Sequence, residues 1–422
     1  MNTEKSVLVL GAGIVGTSTA LHLQKRGWQV TLIDRREPGL ETSFGNAGVI
    51  ERDDFLPLTI PRDIRKLVSL AKNRETAFRY DPLHMPRMAL WLMQLFRAGS
   101  TKAIDHYAHV INEIQSRAGQ EHLELADIAG VSHLIQSKGW YRLYRSEESF
   151  QTSVEEQRYA DKFGALYEVV TPRDMTDIEP FLSSDFYKAV HWKGSKTVVD
   201  PGALVKAYAN AFISRGGRFE IADAGSLAKT GSGWNVSLGG ELLSARNVVV
   251  CLGPWALDVL KPFGHSYPLA VKRGYHTHFE AVGNAVLNHS IVDMDYGYVL
   301  APMEKGIRLT SGIELAARDG SPTPMQIDKL RSIAGDFFPL GKELDEKPWM
   351  GSRPCMSDCL PVIDQSPLHS GLWMNMGHGH LGLTGGPVTG RLIAEMMTGG
   401  KTVIDPYPFR EARFRDQGSI FP

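Results

Sequence analysis

Ser6-Val7-Leu8-Val9-Leu10-Gly11-Ala12-Gly13-Ile14-Val15-Gly16 stands near the start of the chain, and Val30-Thr31-Leu32-Ile33-Asp34 follows it after the interval of one helix. The apolar run 7–10 is short enough for a buried parallel strand. Gly11 makes the tight turn out of that strand, Gly13 lets the backbone approach a pyrophosphate, and Gly16 lets the next helix pack closely. This helix, predicted over 14–26 and stopped by Gly27, aims its free N–H groups and positive dipole end at the phosphates. Asp34 falls where an acid accepts the two ribose hydroxyls. A lone glycine triplet is weak evidence. Strand, glycines, helix, stop and acid in register predict a Rossmann-like unit that binds a dinucleotide.

At 422 residues the chain exceeds the size at which one core stops growing, so two closely joined domains are expected. A hydrophobic share of 43% is that of an ordinary globular protein, and a net charge of −1 offers no electrostatic case for nucleic acid. Cys251, Cys355 and Cys359 are too few for a disulfide framework, which fits a reducing cytoplasm. The Cys355/Cys359 pair lacks a second pair at zinc-ligand spacing, so it reads as packing and no metal site is expected. No basic leader precedes the first strand, and no run reaches the ~20 apolar residues of a membrane span.

Glycine, serine and asparagine over 35–50 indicate an extended loop near the nucleotide. The pattern is helical over 60–128, where Met88-Ala89-Leu90-Trp91-Leu92-Met93-Gln94-Leu95-Phe96 reads as a buried core helix, with a helix resting on a membrane surface as the alternative. Aromatic alternation at Trp140-Tyr141-Arg142-Leu143-Tyr144 suggests entry into a β-rich region. Asp200 is placed to cap a helix over 201–213. Strands are predicted at 218–221, 234–238, 247–251, 274–280, 296–301, 308–311 and 372–376, and a last helix at 387–397. The fold class is α/β, with a second antiparallel-sheet (α+β) domain. The chain passes between the domains repeatedly: 1–55, 140–260 and 345–422 are assigned to the Rossmann-like domain, 56–139 and 261–344 to the second.

Four separated pieces argue together: the fingerprint, Thr42-Ser43-Phe44-Gly45-Asn46-Ala47-Gly48-Val49-Ile50, Val250-Cys251-Leu252-Gly253-Pro254-Trp255, and the region 351–384. In that region Gly351-Ser352-Arg353-Pro354 precedes Leu360-Pro361-Val362-Ile363-Asp364 and then Gly377-His378-Gly379-His380-Leu381-Gly382-Leu383-Thr384. In this order they resemble the D-amino-acid oxidase superfamily of FAD-dependent oxidoreductases over nearly the whole chain, closest to its bacterial D-amino-acid dehydrogenase (small subunit) type. The resemblance implies FAD gripped by segments from across the chain. Gly11, Ala12, Gly13, Ile14, Val15, Gly16 and Asp34 form the fingerprint, and Ser43, Asn46, Ala47 and Gly48 would run along the pyrophosphate, ribityl and ring. Arg35, Ile50, Gly253 and Trp255 are assigned to the same site. Gly379, His380, Leu381, Gly382, Leu383 and Thr384 would set N–H groups at the pyrimidine edge, stabilising the negative charge of a reduced ring. Asp34 stands where many relatives carry Glu, and both can bind the ribose diol. Neither Cys355 nor Cys359 aligns with the cysteine that carries flavin in the covalent sarcosine-oxidase branch, which implies noncovalent FAD.

The implied reaction is oxidative deamination of a D-amino acid by hydride transfer from Cα to flavin N5, giving an imino acid that hydrolyses to a 2-oxo acid and ammonia. Arg353 matches the position that binds the substrate carboxylate; the alternative is a structural arginine paired with Asp358 or Asp364. Tyr275 is a candidate substrate-lid contact or a plain strand tyrosine. His378 and His380 are candidates to tune the ring or assist amine deprotonation. Lys272 and Arg273 could receive a second carboxylate or form a solvated face. Oxidation of a secondary amine (an N-methyl, cyclic imino acid or opine-type substrate) is the alternative activity. A noncatalytic FAD-binding subunit is disfavoured by the intact Arg353 and 377–384 turn, and a nicotinamide reductase by the lack of a second fingerprint. The electron acceptor, quinone or oxygen, stays open, as do the oligomeric state and a peripheral contact with the inner face of the cell membrane.

Overall fold

In the computed structural model, which describes residues 5–414, Ser6–Leu10 lies inside a six-stranded sheet. The outermost residues of the ranges 1–55 and 345–422 fall outside that description. Strand order is Arg218–Ile221, Gln29–Asp34, Ser6–Leu10, Asn247–Val250, Leu372–Met376, Val362–Gln365, and all pairings are parallel except the last. Leu8, Val9 and Leu10 are fully buried because helices cover one face and a second apolar cluster the other. The Ile14–Gln24 helix ends two residues before the expected stop, and Gly27 takes the positive φ of 78° that the exit turn requires.

The C-terminal helix spans Gly382–Thr398, so it begins five residues earlier than expected and contains Pro387. Proline removes the N–H that would bond the carbonyl four residues back. That carbonyl, on Leu383, instead accepts a bond from His122 Nε2 at 2.7 Å. The helix thus reaches the cavity with its proline tolerated.

The second sheet, of eleven strands, is organised around Leu269–Ala281, which pairs antiparallel with Gly306–Thr310 and Trp349–Met356. It also takes Trp140–Tyr144, Tyr167–Val170 and Lys188–Trp192. These strands, and Trp349–Met356, lie outside the sheet to which the ranges 140–260 and 345–422 assign them. Every residue of Trp140–Tyr144 is buried, so this strand needs sheet neighbours and covered faces on both sides. The opposite correction holds for Thr101–Ile128, assigned to the second domain: its Tyr107, Ile111, Ile114, Ala118 and Leu125 enter the nucleotide-side core. The Met-rich stretch forms the Ala89–Ala98 helix but is only half core, with Trp91 and Leu95 buried and Leu90, Met93 and Phe96 exposed. Trp91 and Leu95 follow the helical repeat, whereas the whole stretch read as a run of apolar letters does not.

Candidate active site

A cleft of about 610 Å³ runs between the two sheets from the fingerprint to the start of the last helix. Its fingerprint end is built by backbone. Gly11 has φ +104°, and a Cβ there would stand 2.4 Å from the Cys251 carbonyl oxygen. A Cβ on Gly16 would stand 1.7 Å from the Gly11 carbonyl, and one on Gly48 2.4 Å from that of Val198. These glycines hold the cleft open by letting its walls touch behind it. Asp34 accepts the Ala12 N–H at 2.6 Å, and burial pushes its carboxyl above the ordinary value. Ser43 Oγ accepts the Ile14 N–H at 3.0 Å, tying the 42–48 loop to the helix start. The Arg35 guanidinium lies 4.0 Å over the Trp255 ring.

Of the residues the sequence assigned to the cofactor, Gly11, Gly13, Ile14, Val15, Asp34 and Arg35 line the cleft. So do Ser43, Asn46, Ala47, Gly253 and Trp255, and at the other end Gly379, His380, Gly382 and Leu383. Ala12, Gly16, Gly48, Ile50, Leu381 and Thr384 stand in the wall behind them: Ile50 and Leu381 are core, and Thr384 Oγ1 accepts the Glu51 N–H at 3.0 Å. The small residues, free helix N–H groups and ribose-side acid fit a dinucleotide with a wide ring system at the 379–383 end.

At that end the Arg353 guanidinium lines the cleft and lies against Gly274, where a Cβ would come within 2.6 Å of it. No carboxylate pairs with it among the described residues; its partners are the carbonyls of Arg273 and Gly312 at 3.4 and 3.3 Å. The structural pairing considered for it is absent, since Asp358 binds Arg413 and Asp364 accepts the N–H groups of Gln365 and Glu411. Burial lowers its pKa. A half-buried, uncompensated cation facing a cleft is costly, and an anionic ligand relieves that cost.

Tyr275 lines the cleft, but its hydroxyl donates to Glu314 at 2.6 Å and accepts from Arg273. It is therefore a strand tyrosine with a committed hydroxyl, 1% exposed, and no mobile lid. Arg273 is likewise consumed by Glu314 and by the carbonyls of 317, 320 and 321, so it cannot serve a second substrate carboxylate. Lys272 does line the cleft, donating to the Leu58 carbonyl at 2.9 Å. His378 bonds Thr389 at 3.0 Å, and burial drives its pKa down to about 4, so it is neutral near pH 7. His380 Nε2 stands 3.0 Å from Asp54 Oδ2.

The charged wall around His380 is what sequence reasoning missed. Glu51, Asp54, Arg142 and Glu156 line the cleft, and Asp53 lies behind them. Arg142, buried in strand Trp140–Tyr144, reaches Asp53 at 2.8 Å, Glu156 at 2.7 Å and Glu51 at 3.7 Å. Burial pushes Asp54 up, but the charge and hydrogen bond of His380 outweigh it and leave the carboxyl below its ordinary value. Glu51 gains less: burial, with Asp54 and Asp53 beside it, raises its pKa well above the usual range. Ligand atoms of Glu51, Asp54 and His380 lie within 4.8 Å of one another, a spacing that could also hold a cation. The available signal was Glu51-Arg52-Asp53-Asp54 directly after a strand at the ring. Cys355 also lines the cleft, its thiol raised by burial.

The sequence model of the family described as DAO, FAD dependent oxidoreductase, matches residues 6–396. The chain is 29% identical to a D-amino-acid oxidase of Bradyrhizobium diazoefficiens over 98% of this chain and 100% of that one. It is 27% identical to a D-amino acid dehydrogenase of Methylobacterium sp. over 97% and 99%. Among solved structures it shares the fold of L-proline dehydrogenase from P. horikoshii, with TM-score 0.76, 18% identity and 99% of each chain covered. It also shares that of glycine oxidase from Geobacillus kaustophilus, with TM-score 0.74, 20% identity and 96% and 97% covered.

Proposed function

Because the chain belongs to the DAO family of FAD-dependent oxidoreductases and oxidises amines or amino acids with FAD, we propose that its substrate is a free D-amino acid carrying a primary amine. The observation that carries this reading is Arg353, a half-buried guanidinium that lines the cleft and has no carboxylate partner among the described residues. It supplies the two-point grip that a substrate carboxylate needs. The names of the two full-length relatives support the D configuration. FAD, when bound, supplies the two-electron acceptor. The chain's own part is to fix the carboxylate on Arg353, hold Cα against the ring and exclude water; alignment of this kind contributes much of the acceleration. Glu51 and the Asp54/His380 pair border the same space and are the groups placed to take the amine proton.

The test is an anaerobic titration of the purified flavoprotein, following loss of flavin absorbance with D- and L-amino acids, N-methyl amino acids and cyclic imino acids. Reduction by primary D-amino acids, weakened severely in Arg353→Ala, is the expected result. Reduction only by N-substituted or cyclic compounds overturns it in favour of secondary-amine oxidation. Reoxidation by oxygen against a soluble quinone then assigns the acceptor.

A further inference from the structure

The 58–102 segment borders the cleft through Leu58 and Ala77, lies beside the strand of Arg353 where Trp91 donates to the Cys355 carbonyl, and has an outer face with no partner among the described residues. Its helix Ile64–Ala71 buries none of its residues, yet Ile64, Leu67, Val68 and Ala71 recur at helical spacing on one side. Ile64 is 75% exposed and Val68 54%. An eight-residue helix is marginal alone, and this one buries no residue of its own to hold its apolar side. The face continues onto the Ala89–Ala98 helix: Arg62, just before the first helix, donates to the Phe96 carbonyl at 3.2 Å and lies 4.9 Å over its ring. There Leu90, Met93 and Phe96 are exposed, and Leu83, in the turn that leads into that helix, is 88% exposed.

The charges around this face are predominantly positive. Arg62, Arg65, Lys66, Lys72, Arg87 and Arg97 are exposed, and none forms an ion pair among the described residues. Between 58 and 102 the sequence has nine Lys and Arg against Asp63, Glu75 and Asp81, in a chain whose net charge is −1. An apolar strip flanked by unpaired cations complements an anionic lipid surface, where apolar side chains enter the headgroup boundary and each nearby cation is attracted. No helix of the described residues is long and apolar enough to cross a membrane, so any attachment through this face is by lying on the surface.

We propose that the face made by Ile64–Ala71 and the outer side of Ala89–Ala98 seats the protein on an anionic bilayer. It does so independently of which amine the enzyme oxidises. Leu56, Pro57 and Leu58 line the cleft and lead into this face, so docking sets the cleft beside the lipid.

Cosedimentation of the flavin-loaded protein with phosphatidylcholine vesicles, and with vesicles mixed with phosphatidylglycerol, tests it. Binding to the mixed vesicles alone, lost on adding salt, is expected. Ile64→Glu with Val68→Glu should weaken it by at least about tenfold while bound flavin and Tm stay unchanged. Arg65→Gln with Lys66→Gln should weaken binding less and flatten its salt dependence. If the apolar double variant does not fold, Met93→Ser carries the same prediction at smaller size. No binding to mixed vesicles, or binding that these variants leave intact, overturns the proposal. So does a solution dimer that the apolar double variant dissociates, because the face is then covered by a second copy.

Discussion

The two ends of the cleft are made in different ways. The phosphate end is backbone: closely spaced glycines whose missing Cβ atoms let Gly11 touch Cys251 and Gly16 touch Gly11. The other end is charge: Arg142 on one strand, Glu156 on a helix, Asp53 and Asp54 on a loop and His380 after another strand, balanced against each other in one wall. The first tolerates almost no change in shape and little depends on ionisation. The second would keep its shape under an isosteric change and fail electrostatically.

The difference is sharpest in Gly16→Ala, whose added Cβ meets a carbonyl oxygen at 1.7 Å. Purification should yield protein without flavin, or no folded protein, read by absorbance of the released cofactor. Arg142→Met should keep the shape of the charge wall but leave Asp53 and Glu156 without their cation, costing ~3–5 kcal/mol in denaturant unfolding. An unchanged midpoint would show that the carboxylates were already protonated. Arg353→Met should leave flavin bound and lower kcat/KM for the amino acid by about thirtyfold to several thousandfold, the equivalent of ~2–5 kcal/mol of lost binding. An equal loss for an amine lacking the carboxylate would break that assignment.

Acid should act through buried histidines. His122 and His378 are held neutral by burial, each down to about 4 against 6.5 for a free side chain. The unfolded chain takes up these protons first, so the stability they contribute is complete above pH 6.5 and is lost as pH falls toward 4. Each can account for about 3 kcal/mol, and His378→Gln should shrink the difference between unfolding midpoints at pH 7 and pH 5. The smallest effect is expected from Asp34→Asn, which keeps an acceptor for the Ala12 N–H and should weaken FAD by about tenfold or less in a dialysis titration.

Much of this arrangement is legible in the linear chain where structure is local. The fingerprint strand, its helix, Asp200 capping Pro201–Ser214 and the strands at 218–221, 234–238 and 372–376 all follow from periodicity and caps. What failed was attribution across distance. Lys188–Trp192 carries no signal of which sheet completes it, because its partners lie at 140–144 and 167–170. The start of the last helix was misplaced because Pro387 reads as a first-turn residue until His122, more than two hundred residues away in sequence, is seen bonding the Leu383 carbonyl.

By itself the sequence determined the nucleotide-binding unit, because that depends on residues whose spacing sets backbone geometry directly, while FAD and the family followed from the resemblance carried by four separated segments. It also nominated Arg353. Only the tertiary structure decided that Arg353 has no carboxylate partner among the described residues, that the hydroxyl of Tyr275 is spent on Glu314, and that Arg142 holds three carboxylates near one wall. Charge balance in a buried site is a sum over neighbours brought together by folding, and no local pattern of letters contains that sum.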